Sequence, residues 1–172
     1  MRILPPMRIL IAGAGTIGSN LAISLAKEGQ DVVVVDCDEE RLAALASADC
    51  QTRVGDATSP LLLESVGIRR TDLVVAVTRS DAVNLLVCSL AAFYKVPRRL
   101  ARVRAPEFTD RDCPVPSDAL GADHFISPEA ITVSQIERLV RSPGTVDAVD
   151  FENGRICLRA VTICEDCEIA GS

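Results

Sequence analysis

The six residues Gly13-Ala14-Gly15-Thr16-Ile17-Gly18 follow the pattern G-x-G-x-x-G, and the chemistry they suggest is the binding of a diphosphate. The run directly follows an aliphatic stretch at 7–12 and opens a helical pattern over about 17–28, which is the setting the motif needs. Gly13 would permit the tight turn, Gly15 would let a pyrophosphate approach the backbone, and Gly18 would let helix and strand pack closely. The amides and partial positive charge of the helix N-terminus would face the phosphates, with the backbone of Ala14, Thr16 and Ile17 beside them. Without a ligand the same residues would form only a glycine-rich turn. The strand before and the helix after favour binding.

Asp36 ends a second aliphatic run, Val32-Val33-Val34-Val35, about 20 residues past the glycines. An acid there can accept hydrogen bonds from both ribose hydroxyls and would repel a 2′-phosphate, which disfavours NADP. Asp38 suits the cap of the next helix better than Asp36 does. Asp56, in Gly55-Asp56-Ala57-Thr58, reads equally as an acceptor for an adenine amino group, with Ala57 lining the base, or as a turn residue before a helix. Thr78-Arg79-Ser80-Asp81 follows a fourth strand and would border the second half of a ligand. Arg102 and Arg104 sit at the end of a fifth strand, where a guanidinium would hold a distal phosphate. Arg98 and Arg99 read as solvated charges where that strand begins.

Catalytic groups do not stand out. The one histidine is His124 and the one tyrosine is Tyr94. A Tyr-x-x-x-Lys dyad would require Lys at position 98, which is Arg98, and lysine occurs only at Lys27 and Lys95. His124 precedes an apolar strand and reads as structural. The sequence predicts no catalytic residue and no metal site. Cys164-Glu165-Asp166-Cys167 is a single C-x-x-C with only Cys157 nearby, short of the four ligands that structural zinc takes.

The elements that must position these residues alternate. Strands are expected near 7–12, 31–36, 51–54, 73–77, 100–103 and 124–126, with helices over about 17–28, 39–48, 82–94 and 128–141 and another opening at Ser59-Pro60. Residues 105–120 read as irregular, broken by Pro106, Pro114 and Pro116. This order is the signature of an α/β fold with a doubly wound parallel Rossmann sheet. The pattern changes after Ser142-Pro143-Gly144. Runs at 146–151 and 155–163, joined by Glu152-Asn153-Gly154, predict a C-terminal β-hairpin that begins a second, truncated subdomain. The expected domains are 7–141, binding nucleotide, and an incomplete 145–172. Met1-Arg2-Ile3-Leu4 nearly duplicates Met7-Arg8-Ile9-Leu10, so Met7 reads as the effective start of the fold.

Aromatics make up 3% of the 172 residues, so the core must be aliphatic, as suits strands buried on both faces. A formal net charge of −6 argues against nucleic acid as a partner. Seven cysteines without framework spacing, several of them in apolar runs such as Cys88, read as reduced thiols. No export signal or membrane span is evident, and a cytoplasmic protein is expected.

Taken together, these residues resemble the N-terminal RCK (regulator of K⁺ conductance) domain of TrkA-type potassium-uptake subunits. The similarity runs through Ile11-Ala12-Gly13-Ala14-Gly15-Thr16-Ile17-Gly18, Val34-Val35-Asp36, Gly55-Asp56-Ala57-Thr58 and Leu73-Val74-Val75-Ala76-Val77-Thr78. It continues through Asn84, Ala101-Arg102-Val103-Arg104, 122–129 and 136–139. The resemblance implies a regulatory subunit that binds NAD(H) or ATP/ADP and gates a membrane potassium transporter or channel. It also implies a homodimer or larger ring, held at the inner face of the membrane through its partner, with the helix at 128–141 as a crossover. Gly13, Gly15, Gly18, Asp36, Asp56 and Thr78 would contact nucleotide, Arg102 and Arg104 would lie near phosphates, and Glu129 near the partner chain's nucleotide. The alternative reading is a fragment of an NAD-dependent oxidoreductase that lacks its substrate domain.

Overall fold

The computed structural model of the chain describes residues 6–108, 113–141, 145–151 and 156–161. By compactness the chain divides into two units, Met1–Ser127 and Pro128–Ser172. The helix that the sequence pattern groups with the first domain therefore clusters with the hairpin.

The first unit alternates strand and helix. It runs β1 (Arg8–Ala12), α1 (Thr16–Lys27), β2 (Asp31–Asp36), α2 (Glu39–Ala43), β3 (Gln51–Val54) and α3 (Pro60–Ser65). It continues with β4 (Leu73–Ala76), α4 (Asp81–Phe93), β5 (Arg98–Arg102) and β6 (His124–Ile126). All six strands pair in parallel, in the order β3-β2-β1-β4-β5-β6. The order reverses between β1 and β4, and ligands of open α/β sheets lie at such a switch point, outside the carboxyl ends of the strands.

Alternation along the central strands builds two cores. Leu10, Val33, Val35 and Val74 pack with Leu63 of α3 and with Val87, Cys88 and Ala91 of α4. Ile9, Ile11, Val32, Val34 and Val75 pack on the other face with Ala22 of α1 and Leu42 of α2. Both faces being covered explains why the strands read as unbroken aliphatic runs.

Three elements depart from the sequence expectation. Helix α2 stops at Ala43, because Leu45 N–H and Ala46 N–H bond three residues back, to Leu42 and Ala43, and tighten the chain into turns. Strand β5 starts at Arg98 and ends at Arg102, set by its register with Leu73–Ala76 of β4. Arg99 is not a solvated charge: it pairs with Asp123 and donates to the Val96 carbonyl (2.8 Å), tying β5 to the approach to β6. Residues 105–120, read as irregular, hold two short 3-10 turns, at Pro106–Phe108 and Ser117–Leu120.

In the second unit, α5 (Pro128–Arg141) leaves Ile131, Val133 and Ile136 exposed, and β7 (Thr145–Phe151) pairs antiparallel with β8 (Ile156–Val161). The Asn153-Gly154 turn and the Cys164/Cys167 pair lie outside the described residues.

Two glycines of the first turn are required by the fold itself. Gly13 has φ +109°, and a Cβ there would meet the Thr78 backbone nitrogen at 2.9 Å. A Cβ on Gly18 would fall 1.8 Å from the Gly13 carbonyl oxygen, backbone that cannot swing aside. Gly18→Ala is thus expected to destabilise the fold by about 1–3 kcal/mol or more. Gly15→Ala, with nothing within 4 Å of its Cβ, should cost about 1 kcal/mol or less. Urea unfolding midpoints check the pair, and equal losses would contradict the packing argument.

Candidate functional site

Three hydrogen bonds set the loops at the carboxyl edge of the sheet. Gly13 N–H donates to Val35 O (2.8 Å), Gly55 N–H to Asp36 O (2.9 Å), and Val77 N–H to Ala12 O (2.8 Å). They extend the ladders just past the strands and bring the turns after β1, β2, β3 and β4 to the rim of one cavity of about 580 Å³. Its floor and first wall are Gly13, Gly15, Thr16 and Ile17, with Val35 and Asp36 beside them. Gly55, Asp56 and Ala57 close the side toward β3, while Thr78, Arg79, Ser80 and Arg102 close the side toward β5.

Most residues singled out in the sequence thus share one cavity. Ala14, Gly18 and Arg104 do not line it. Ala14 gives its amide to Asp36, Gly18 sits in the packing of α1 against the turn, and Arg104 pairs with Asp81 (3.6 Å) and donates to the Arg79 carbonyl. The side chains of His124 and Tyr94 lie elsewhere, Tyr94 beneath the Arg69 guanidinium (5.0 Å).

The turn before α1 presents backbone. Helices α2, α3 and α4 begin with side-chain caps from Asp38, Ser59 and Ser80, whereas Gly15 supplies none to α1 and no acid stands in its first turn. Ser19 N–H bonds back to Gly15 O (2.9 Å). The amides of the preceding residues belong to the set that a helix leaves without internal partners. Gly15 itself is in extended conformation at φ −70°, so neither backbone strain nor packing demands glycine there. The missing side chain leaves open space at the cavity floor.

Asp36 is positioned from two sides. Its Oδ2 accepts from Ala14 N–H (2.6 Å) and its Oδ1 from Asp38 N–H (2.9 Å), with Arg41 Nη1 at 3.9 Å from Oδ2. A carboxylate offers about four lone-pair sites, so two directions remain after the backbone is served. Asp56 engages Thr58 twice through Oδ1, to the hydroxyl (2.7 Å) and to the amide (2.8 Å).

The sequence reading missed Arg41 and Cys37. Arg41 reaches the cavity because the Asp38 cap turns the first residues of α2 back over the end of β2, where the guanidinium also meets Asp38 (3.0 Å). Its position three residues after that cap was the available signal. Cys37 is an exposed thiol on the cavity wall that donates to Gly55 O (3.3 Å). No spacing pointed to it.

A family model described as the TrkA-N domain matches residues 9–128. The chain belongs to the TrkA-N domain family. It is 37% identical over 157 residues to the Trk system potassium uptake protein TrkA of Halomonas elongata, covering 90% of this chain and 34% of that one. The protein of the same description from Vibrio alginolyticus is 37% identical over 158 residues, with the same coverage. The chain therefore spans about a third of the length of these curated relatives. Among solved structures, the TrkA-N domain of the inner membrane protein ybaL from Escherichia coli superposes with a TM-score of 0.68 at 15% identity, over 80% of this chain and 99% of that one. The GsuK channel bound to NAD gives 0.66 at 17% identity, over 87% and 26%. GsuK bound to ADP gives 0.63 at 24%, over 78% and 34%. At these identities the likeness is one of fold: a Rossmann sheet of the TrkA-N type.

The two Thr58 bonds, the hydroxyl first and then the amide, hold the Asp56 carboxyl below its ordinary value of 3.8 against a weak opposing effect of burial. The sign follows from linkage. The contact stabilises the folded chain above the unfolded value, and that contribution is lost as pH falls through the lower folded one. A carboxyl-carbon NMR titration should place the Asp56 midpoint below 3.8 and move it upward in Thr58→Val. An unmoved midpoint would contradict the assigned cause.

Proposed function

We propose that this domain binds an adenine nucleotide, NAD(H) or ATP/ADP, as a regulatory ligand and that its occupancy gates a membrane potassium transporter or channel. The observation that carries the reading is Gly15: a glycine that neither backbone nor packing requires, at the floor of a cavity beside an uncapped helix N-terminus. In this reading the diphosphate lies against residues 13–18, where amides and helix dipole favour an anion. Asp36 accepts from the ribose hydroxyls with its remaining lone pairs. Asp56 uses Oδ2 for the adenine amino group, and Ala57 lines the base. Thr78 and Arg102 border the distal half, and Arg104 acts through Asp81 and Arg79 rather than by direct contact.

Support for a regulatory role comes from both sides. Among the described residues lining the cavity none is His, Tyr or Lys, and its acids are engaged by the backbone, Asp36 by the Ala14 and Asp38 amides and Asp56 by that of Thr58. The relatives are named for potassium uptake, and structures of like fold are described as bound to NAD and to ADP. No helix among the described residues is long and apolar enough to cross a membrane. In this reading the domain acts at the inner face of the membrane through a transporter subunit. Residues 7–141 would form the nucleotide domain of a homodimer or larger ring, with 145–172 opening a C-terminal subdomain and Glu129 close to the partner's nucleotide. Two nucleotides that stabilise different angles between paired lobes would pull the transporter between states, each by its difference in affinity for the two.

Isothermal titration tests the site. NADH and ADP should bind, NADPH at least about tenfold more weakly than NADH, and both Gly15→Ala and Asp36→Ala should lose about tenfold or more, since one tenfold step is about 1.4 kcal/mol and each hydrogen bond to a charged acceptor about 1.5–3. Unchanged affinities in both variants would remove the site from the reading. Solution scattering tests the switch: NADH and ADP should give different dimer profiles, and one profile for every nucleotide would leave no basis for gating.

A further inference from the structure

Asn84 is wholly buried in the second turn of α4 and does not line the cavity, yet all of its hydrogen bonds go to the cavity wall. Its Oδ1 accepts from the Thr78 amide (2.8 Å) and the Thr78 hydroxyl (2.7 Å). Its Nδ2 donates to the Arg102 carbonyl (2.8 Å) and the Thr78 carbonyl (3.3 Å). Strands β4 and β5 keep register only as far as Ala76 and Ala101. Thr78 and Arg102 lie beyond that last pair; Arg102 keeps its register with Ile126 of β6, and the Asn84 amide supplies the partner on its β4 side. Asp81, one turn earlier, accepts the amides of Arg104 (2.9 Å) and Ala105 (3.0 Å) and holds the exit of β5 at a second point.

Packing does not call for an amide at this position. Asn84 shares a helix face with Val87, Cys88 and Ala91, where an aliphatic residue would fill the space. Asparagine is also a poor residue for a helix interior, because its side chain competes for backbone partners. Its contribution lies in joining the ends of two strands that both wall the distal half of the cavity.

We infer that Asn84 is a positioning residue for the part of a nucleotide beyond the first phosphate. It fixes Thr78 and Arg102, and so sets affinity for a dinucleotide while leaving a mononucleotide on the β1–β2 side untouched. The inference rests on the nucleotide-binding reading above. Asn84→Ala would take this partner from the Thr78 amide and from the Thr78 and Arg102 carbonyls, just behind the cavity wall. The chain should then fold with β5 still held by β6 and Asp81, but with Thr78 no longer tied to the Arg102 carbonyl. Asn84→Asp keeps the acceptor for Thr78 but sets an oxygen against the Arg102 carbonyl.

The test is isothermal titration of the 172-residue chain and both variants with AMP and with NADH, folding being followed by thermal unfolding. The expected result is an NADH dissociation constant raised about tenfold or more in each variant, with that for AMP within about threefold of the parent. A merely structural residue would weaken both ligands together. Equal losses, or no loss, in a folded variant overturn the inference; if one variant fails to fold the other decides, and if neither folds the residue is structural and the inference falls. A parent chain that binds AMP but not NADH overturns this inference alone. A parent that binds neither overturns the nucleotide reading beneath it.

Discussion

The hydrogen bond from the Ala14 amide to Asp36 Oδ2 (2.6 Å) is the constraint on which the site depends. It joins the glycine turn after β1 to the end of β2, next to the bond from Gly13 N–H to Val35 O. The Asp36 side chain is 11% exposed, so its charge needs local compensation, which the Ala14 and Asp38 amides and the nearby Arg41 guanidinium supply. Bonds to an ionised acceptor are shorter and roughly twice as strong as neutral ones, and this one fixes the turn so that the α1 amides face the cavity. The same carboxylate that orders the turn keeps lone pairs for a ligand. In the proposed reading, structure and recognition are carried by one group.

The switch point then separates two kinds of wall. Toward β3 stand the carboxylates of Asp36 and Asp56, suited to hydroxyl and amino donors, with the Arg41 guanidinium beside Asp36 and engaged by Asp38. Toward β5 stand Arg79 and Arg102, suited to anions. The two halves meet where Gly13 presses against the Thr78 backbone, a contact too close for any side chain. A ligand with sugar at one end and phosphate toward the other would run from the first wall to the second.

Features that depend on local geometry were legible in the sequence. The glycine run, the aliphatic strands, the caps at Asp38 and Ser59, and Asp36 at its strand end each follow from a few adjacent residues, and the six-stranded parallel sheet follows from their order. What stayed hidden depends on pairing across the chain. Arg41 reaches the cavity only because α2 folds back over β2. Arg104 turns away from it because Asp81, 23 residues earlier, holds its backbone amide. Arg99 finds Asp123 on a segment that no spacing rule connects to it. Asn84 enters the sequence reading only through the family resemblance, and its bonds to Thr78 and Arg102 depend on strand ends that only the fold brings together.

An adenine nucleotide lying across the carboxyl edge of the sheet, against residues 13–18 and Asp36, would leave a footprint in amide chemical shifts as NADH is added. The largest shifts should fall on residues 14–18, on 36 and on 55–57, with the amides of β6 and of α4 past its first two turns nearly still. Binding that left residues 14–18 and 36 unmoved, or that shifted β6 instead, would contradict that placement.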